Sequence, residues 1–184
     1  MGKVVLDMAM SLDGFIAGPN DEDEGLHDWY FSPSGRSGEV IDELIKTLGA
    51  IVMGRRAYDV GDKVDGFVDN PYKVTHFVLS HDVPEKAARG ETTFTFVTDG
   101  IESAIEQARA AAGDKDIAIG GGANTAQQYT KAGLVDEIQI HLVPVLLGEG
   151  VRLFDHIGRL SIELESTRVI ASPNVTHLQF RVVK

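Results

Sequence analysis

Apolar residues run along the chain in two rhythms. Short, nearly continuous runs stand at residues 4–10 (Val-Val-Leu-Asp-Met-Ala-Met), 50–53, 74–79 and 117–119, each bounded by glycine or a polar residue, which suits strands buried on both faces. Residues 92–98 read as one more strand. Between these runs the spacing changes. Val40, Ile41, Leu44, Ile45 and Leu48 predict a helix over 37–48, with Gly49 as its left-handed C-cap. Ile101, Ala104, Ile105 and Ala108 predict a second helix, opened by a capping box of Asp99 and Glu102 and ended by Gly113. Residues 123–132 have helix-forming composition before Gly133, so strand, Gly120-Gly121-Gly122 and helix follow in that order.

Later in the chain the period falls to two. Ile138, Ile140 and Leu142 alternate with Gln139 and His141, and Leu178, Phe180 and Val182 alternate with Gln179 and Arg181. Ser172-Pro173-Asn174 breaks residues 160–183 into a hairpin. An α/β front thus joins a β-rich tail in one mixed sheet with helices on both faces. Residues 17–38 hold glycines, prolines and the acidic run Asp21 to Glu24; so long a loop is either a cover for a site or a solvated excursion.

At 184 residues the chain is expected to form one domain, 1–184, burying roughly 70% of its extended surface. A net charge of −11 disfavours nucleic acid or an anionic membrane as partner, so any phosphate site must be local. The chain has no cysteine, which excludes disulfides, thiolate metal sites and a thiol nucleophile. Its start has neither an apolar signal core nor a run of about 20 apolar residues, and a cytoplasmic location is expected. The chain contains no Gly-x-Ser-x-Gly and no His-Glu-x-x-His, and the acidic run fails the spacing of a calcium loop, so no metal is expected.

Chemistry gathers instead at strand ends. Gly120-Gly121-Gly122 with Ala123 and Asn124 lets backbone approach a ligand and opens a helix, whose N-terminus favours phosphate. A side chain at Gly121 would occupy space shared with a pyrophosphate. Thr125 breaks the ordinary dinucleotide fingerprint. Gly54-Arg55-Arg56 supplies the local basic spot, and Ser80-His81 a hydroxyl and an imidazole. Each has a blander reading: a tight turn, arginines offsetting Asp59 and Asp62, a surface histidine. Taken together they suit one extended diphosphate ligand beyond the carboxyl ends of parallel strands. A hydride carrier fits the lack of a hydrolytic constellation, because the cofactor brings the reactive atom.

Met8-Ala-Met-Ser-Leu-Asp13-Gly14-Phe-Ile-Ala17-Gly18 resembles the opening of the reductase domain of riboflavin-biosynthesis deaminase-reductases and their stand-alone relatives. Residues 49–58 (Gly-Ala-Ile-Val-Met-Gly-Arg-Arg-Ala-Tyr) are similar to a strand and turn of dihydrofolate reductases. Residues 119–122, 134–137 and 144–150 resemble the riboflavin-type enzymes again, in the same order over the whole chain. The resemblance implies a dihydrofolate-reductase-like three-layer α/β fold and an NADPH-dependent reductase of a small pyrimidine-like or pterin-like heterocycle. The glycine loop and Arg55-Arg56 would meet cofactor phosphates, Ser80-His81 the adenosine 2′-phosphate, and Ala9 and Ile16 further parts of the cofactor. It also implies a homodimer, for which the alternating strand at 138–143 would be the exposed interface. Glu39 or Asp42 stands loosely where dihydrofolate reductases carry a substrate carboxylate, while riboflavin-type enzymes tend to carry a lysine near Asp7. Asp13 is either a turn residue or the group that orients the ring and delivers the proton, with Glu39, Asp42 and Glu149 as other donors. Two rival readings are a nucleotide-binding protein without catalysis and a reductase of the same fold with an unrelated substrate.

Overall fold

A computed structural model describes residues 2–159 and 161–184. In chain order its first elements are β1 (Val4–Ser11), β2 (Phe15–Ala17), α1 (Asp28–Phe31), α2 (Ser37–Thr47), β3 (Leu48–Gly54), α3 (Arg55–Lys63), β4 (Thr75–Leu79) and β5 (Phe94–Val97). There follow α4 (Ile101–Ala112), β6 (Asp116–Ile119), α5 (Ala123–Lys131), β7 (Glu137–Val143), β8 (Val151–Arg152), β9 (Leu164–Ser172) and β10 (Val175–Val182). Eight strands form one sheet in the order β5-β4-β3-β6-β1-β7-β10-β9. The six from β5 to β7 run parallel; β10 is antiparallel to both β7 and β9. β2 and β8 make a separate antiparallel pair.

Alternation along β1 sorts its side chains to two layers. Val4, Leu6 and Met8 pack with Ala104, Ile105 and Ala108 of α4 and with Ala126 and Tyr129 of α5. The Tyr129 hydroxyl donates to the Ile101 carbonyl at 2.9 Å, fixing α5 on α4. On the other face Ile51, Met53 and Ala118 meet Val40 and Leu44 of α2, and Ala9 meets Leu26, Trp29 and Val175. Burying each large apolar side chain contributes about 1.5–3 kcal/mol, so a one-residue slip of β1 would forfeit both layers. No helix among the described residues is long and apolar enough to cross a membrane.

Three local expectations are corrected. Gly49 is not a helix cap: α2 ends at Thr47, Leu48 is already extended, and Gly49 lies within β3. Pairing with β6 captures the chain there, and a Cβ on Gly49 would come within 2.8 Å of the Ala112 backbone. The Asp99 capping box does not form, because the chain leaves β5 through Gly100 at φ 107 and Gly100 takes the N-cap position. Residues 138–143 are not an exposed interface, since β7 lies between β1 and β10 with Ile138, Ile140 and His141 buried. The sheet's edges are β5 and β9.

Candidate active site

The neighbouring parallel strands β3 and β6 send their helices to opposite faces: Tyr58 of α3 packs on the α2 side, Ala126 and Tyr129 of α5 on the α4 side. A crevice opens at such a switch point. Here it is a cleft of about 550 Å³ lined by Gly54, Arg55, Arg56, Ser80, His81, Gly100, Gly122, Ala123 and Asn124, among others. The helices α3, α4 and α5 begin at this cleft, and their N-caps, Gly54, Gly100 and Gly122, provide no side-chain cap. The first-turn N–H groups of three helices are therefore left for a ligand, with their dipoles' positive ends beside it. Gly122 has φ 87, a conformation that favours glycine, and the Gly54 amide donates to the Gly121 carbonyl at 3.0 Å, joining the two strand ends.

Both arginines are held by carboxylates. Arg55 Nε donates to Asp59 at 2.8 Å, and its Nη1 donates to Ser80 Oγ and to Asp82 Oδ1, each at 2.9 Å. Asp59 foremost raises its already high pKa. Arg56, 68% exposed, is bound by Asp21 of the acidic run at 2.7 Å. The cleft also contains Arg152, which sequence reasoning missed; its guanidinium lies 4.4 Å from the Phe15 ring centre.

A second space of about 370 Å³ lies against the α2 face, lined by Asp7, Ala9, Trp29, Tyr30, Phe31, Met53, Phe67, Asn70, Tyr72, His76, Gly120 and His141, among others. Its floor carries a buried polar chain. His141 Nε2 lies 2.7 Å from Asp7 Oδ1, His141 Nδ1 lies 2.7 Å from His177 Nδ1, and His177 Nε2 lies 3.1 Å from Ser37 Oγ. The chain satisfies all four groups in either direction, with Ser37 donating to His177 and His177 to His141, or a doubly protonated His141 donating to His177 and His177 to Ser37; His141 donates to Asp7 in both. Both require a neutral His177, whose pKa burial and then the neighbouring His141 push down to about 4. The Trp29 ring lies 4.3 Å from the His141 ring, and its buried Nε1 has no hydrogen-bond partner among the described residues. Burial, with Tyr30 beside it, raises the Tyr72 hydroxyl pKa. Burial lowers that of His76, which meets the Asn70 amide at 3.2 Å.

The two spaces adjoin. Met53 and Gly120 line the cavity while Gly54 and Gly122 line the cleft, so consecutive stretches of the same two strand ends border both spaces. Of the expected cofactor residues, Gly54, Arg55, Arg56, Ser80, His81, Gly122, Ala123 and Asn124 are brought to the cleft. Ala9 and Gly120 face the cavity instead, and Ile16 packs on the main core. Gly121 faces neither. A Cβ there would meet Ala57 Cβ at 2.9 Å and Met53 Cβ at 3.4 Å, so its missing side chain makes room for α3 and not for a pyrophosphate.

Asp13 and Glu39 are not brought to the cavity. Asp13 accepts from Ser11 Oγ at 2.6 Å, the Gly148 amide at 2.7 Å and the Leu147 amide at 3.1 Å, binding the β1–β2 turn to the loop before β8. The Ser11 bond foremost lowers its pKa to about 2, so it holds no proton near neutral pH and no acid role is proposed for it. Glu39 is 58% exposed and paired with Arg36 at 2.9 Å, and Asp42 and Glu149 line neither space. The residues missed were Asp7, His141 and Trp29. Asp7 interrupts the apolar run of strand one, a signal present in the sequence. His141 sits at the polar beat of an alternating strand and reads as exposed until α1 and α2 are known to cover that face.

A mixed sheet with helices on both faces, an antiparallel C-terminal hairpin and a cleft at the switch point define a dihydrofolate-reductase-like fold. The model of the RibD C-terminal domain family matches residues 2–178, and the chain belongs to that family. The uncharacterized protein YyaP of Bacillus subtilis strain 168 is 27% identical over 177 residues, covering 92% of this chain and 90% of that protein. The riboflavin biosynthesis protein RibD of Corynebacterium ammoniagenes is 26% identical over 169 residues, 83% of this chain and 46% of the longer protein. A Shewanella sp. PV-4 structure, provisionally assigned to riboflavin biosynthesis, matches with a TM-score of 0.79 and 26% identity over 99% of both chains. The Thermotoga maritima diaminohydroxyphosphoribosylaminopyrimidine deaminase/5-amino-6-(5-phosphoribosylamino)uracil reductase gives 0.68 and 14%, covering 99% of this chain and 57% of that one. Dihydrofolate reductase from Enterococcus faecalis, solved with NADP(H), gives 0.62 and 17% over 100% and 98% of the two chains. At those identities the last two share the fold.

Proposed function

We propose that the chain is an NADPH-dependent reductase of a small heterocycle. The observation that carries this reading is the junction of two unlike spaces, a cleft met by three uncapped helix N-termini and an aromatic cavity floored by Asp7 and His141. The cleft's donors are backbone amides and guanidinium groups, which fit a diphosphate. Gly54, Gly122, Ala123 and Asn124 would hold it, with Arg55, Ser80 and His81 on the 2′-phosphate. When bound, the reduced nicotinamide supplies the hydride. The chain's own residues do the rest: the aromatic walls exclude water and orient the ring, and the Asp7–His141 pair holds a proton at His141 Nε2 beside it.

The test is loss of reduced-nicotinamide absorbance with a panel of pterins and pyrimidines, alongside NADPH binding by titration. Arg55→Ala is expected to raise KM for NADPH more than for NADH, by about tenfold or more, because a charge-assisted phosphate contact contributes about 1.5–3 kcal/mol. Equal effects on the two cofactors would remove the 2′-phosphate from this reading.

A further inference from the structure

Histidines apart, the charged groups on the cavity wall have one sign. Asp7 and Asp69 line it together with His27, His76 and His141, and no lysine or arginine lines it among the described residues. Lys3 and Arg168 line a separate space of about 150 Å³ behind Asp7, whose shared wall with the cavity is Asp7, Leu44, Leu48 and Ala118. Both are already paired, Lys3 with Glu137 and Arg168 with Glu43, each at 2.5 Å. A phosphate in the cavity would face carboxylates without a fixed cation, in a chain of net charge −11.

Asp7 offers the opposite. Its side chain is 16% exposed, Oδ1 is held by His141, and Oδ2 accepts no hydrogen bond from the described residues. A carboxylate fixed this way between aromatic walls is an acceptor for an N–H edge of a flat ring. We propose that this cavity takes an unphosphorylated aminopyrimidine-type heterocycle docked by its N–H edge on Asp7, and does not take a phosphoribosylated one. The inference rests on the reading of this cavity as the substrate site, and it departs from the phosphoribosylated substrate in the name of the Thermotoga enzyme.

Trp29 is the chain's one tryptophan and lines the cavity, so its fluorescence reports occupancy with no cofactor present. The intact chain is titrated with 5-amino-6-(ribosylamino)uracil and, separately, with its 5′-phosphate. The unphosphorylated compound is expected to change Trp29 emission with a Kd at least about tenfold lower than the phosphate, and Asp7→Asn to weaken it by at least about tenfold. The variant's melting curve and NADPH binding show whether it is folded; the comparison of the two compounds on the unaltered chain stands without it. Equal or tighter binding of the phosphate, no response to either compound, or a folded Asp7→Asn chain with unchanged affinity would overturn the proposal. Since no turnover is read, failure here is distinct from failure of the reductase reading, which shows as absent NADPH binding or oxidation.

Discussion

Asp13 and His177 show how single side chains couple the stability of this fold to pH. The Asp13 carboxyl is held near 2, below its ordinary 3.8, so its stabilisation is present above the ordinary value and is lost as pH falls toward 2. Asp13→Asn is expected to lower the melting temperature at neutral pH, to flatten the loss of stability in strong acid, and to leave turnover per folded molecule unchanged. A drop in turnover at intact stability would return Asp13 to the catalytic machinery. His177 works with the opposite chemistry. Its pKa falls from 6.5 to about 4 in the folded chain, so the unfolded state takes up a proton first and stability declines as pH drops between those values. Denaturant unfolding across that window is expected to show a shallower decline for His177→Gln. The sequence singles out Asp13 but not His177, and only the fold gives either its role: Asp13 meets two amides of a loop more than a hundred positions away, and His177 is buried against Trp29 of α1 and Ser37 of α2.

At the scale of elements, the glycine loop divides its labour. Gly120 borders the cavity, Gly122 opens α5 at the cleft, and Gly121 lets α3 approach the sheet. Gly121→Ala is therefore expected to destabilise the whole fold by about 1–3 kcal/mol, the usual cost of overpacking, read as a lower denaturant midpoint at unchanged slope. Unchanged stability would mean that α3 has room to move. The parallel strands and the helices at 101–112 and 123–131 are legible in the sequence because periodicity and terminal glycines agree there. Gly49 misleads because a glycine after a helical run also suits a strand that packs tightly on a neighbouring backbone. Strand β7 misleads because alternation records two unlike faces and not which strands flank it. The cleft is legible in the same way, from short motifs at successive strand ends. The cavity is not, since Asp7, Trp29 and His141 come from separate elements and meet only through tertiary packing.

For the whole molecule, the governing feature is that the cleft and the cavity share the ends of β3 and β6. In a chain of net charge −11, helix N-termini and the arginines at residues 55, 56 and 152 gather at the cleft, where the phosphates of the proposed cofactor would lie. The proposed hydride transfer needs the two occupants side by side, and the junction at Met53–Gly54 and Gly120–Gly122 would supply that placement. The most direct measurement follows deuterium from C4 of labelled NADPH during incubation with the chain and an unphosphorylated aminopyrimidine or pterin. The expected result is loss of reduced-nicotinamide absorbance with the label in the reduced heterocycle, and loss of both in Gly122→Val. NADPH that binds the cleft but keeps its label with every heterocycle offered, or that does not bind at all, would contradict the account.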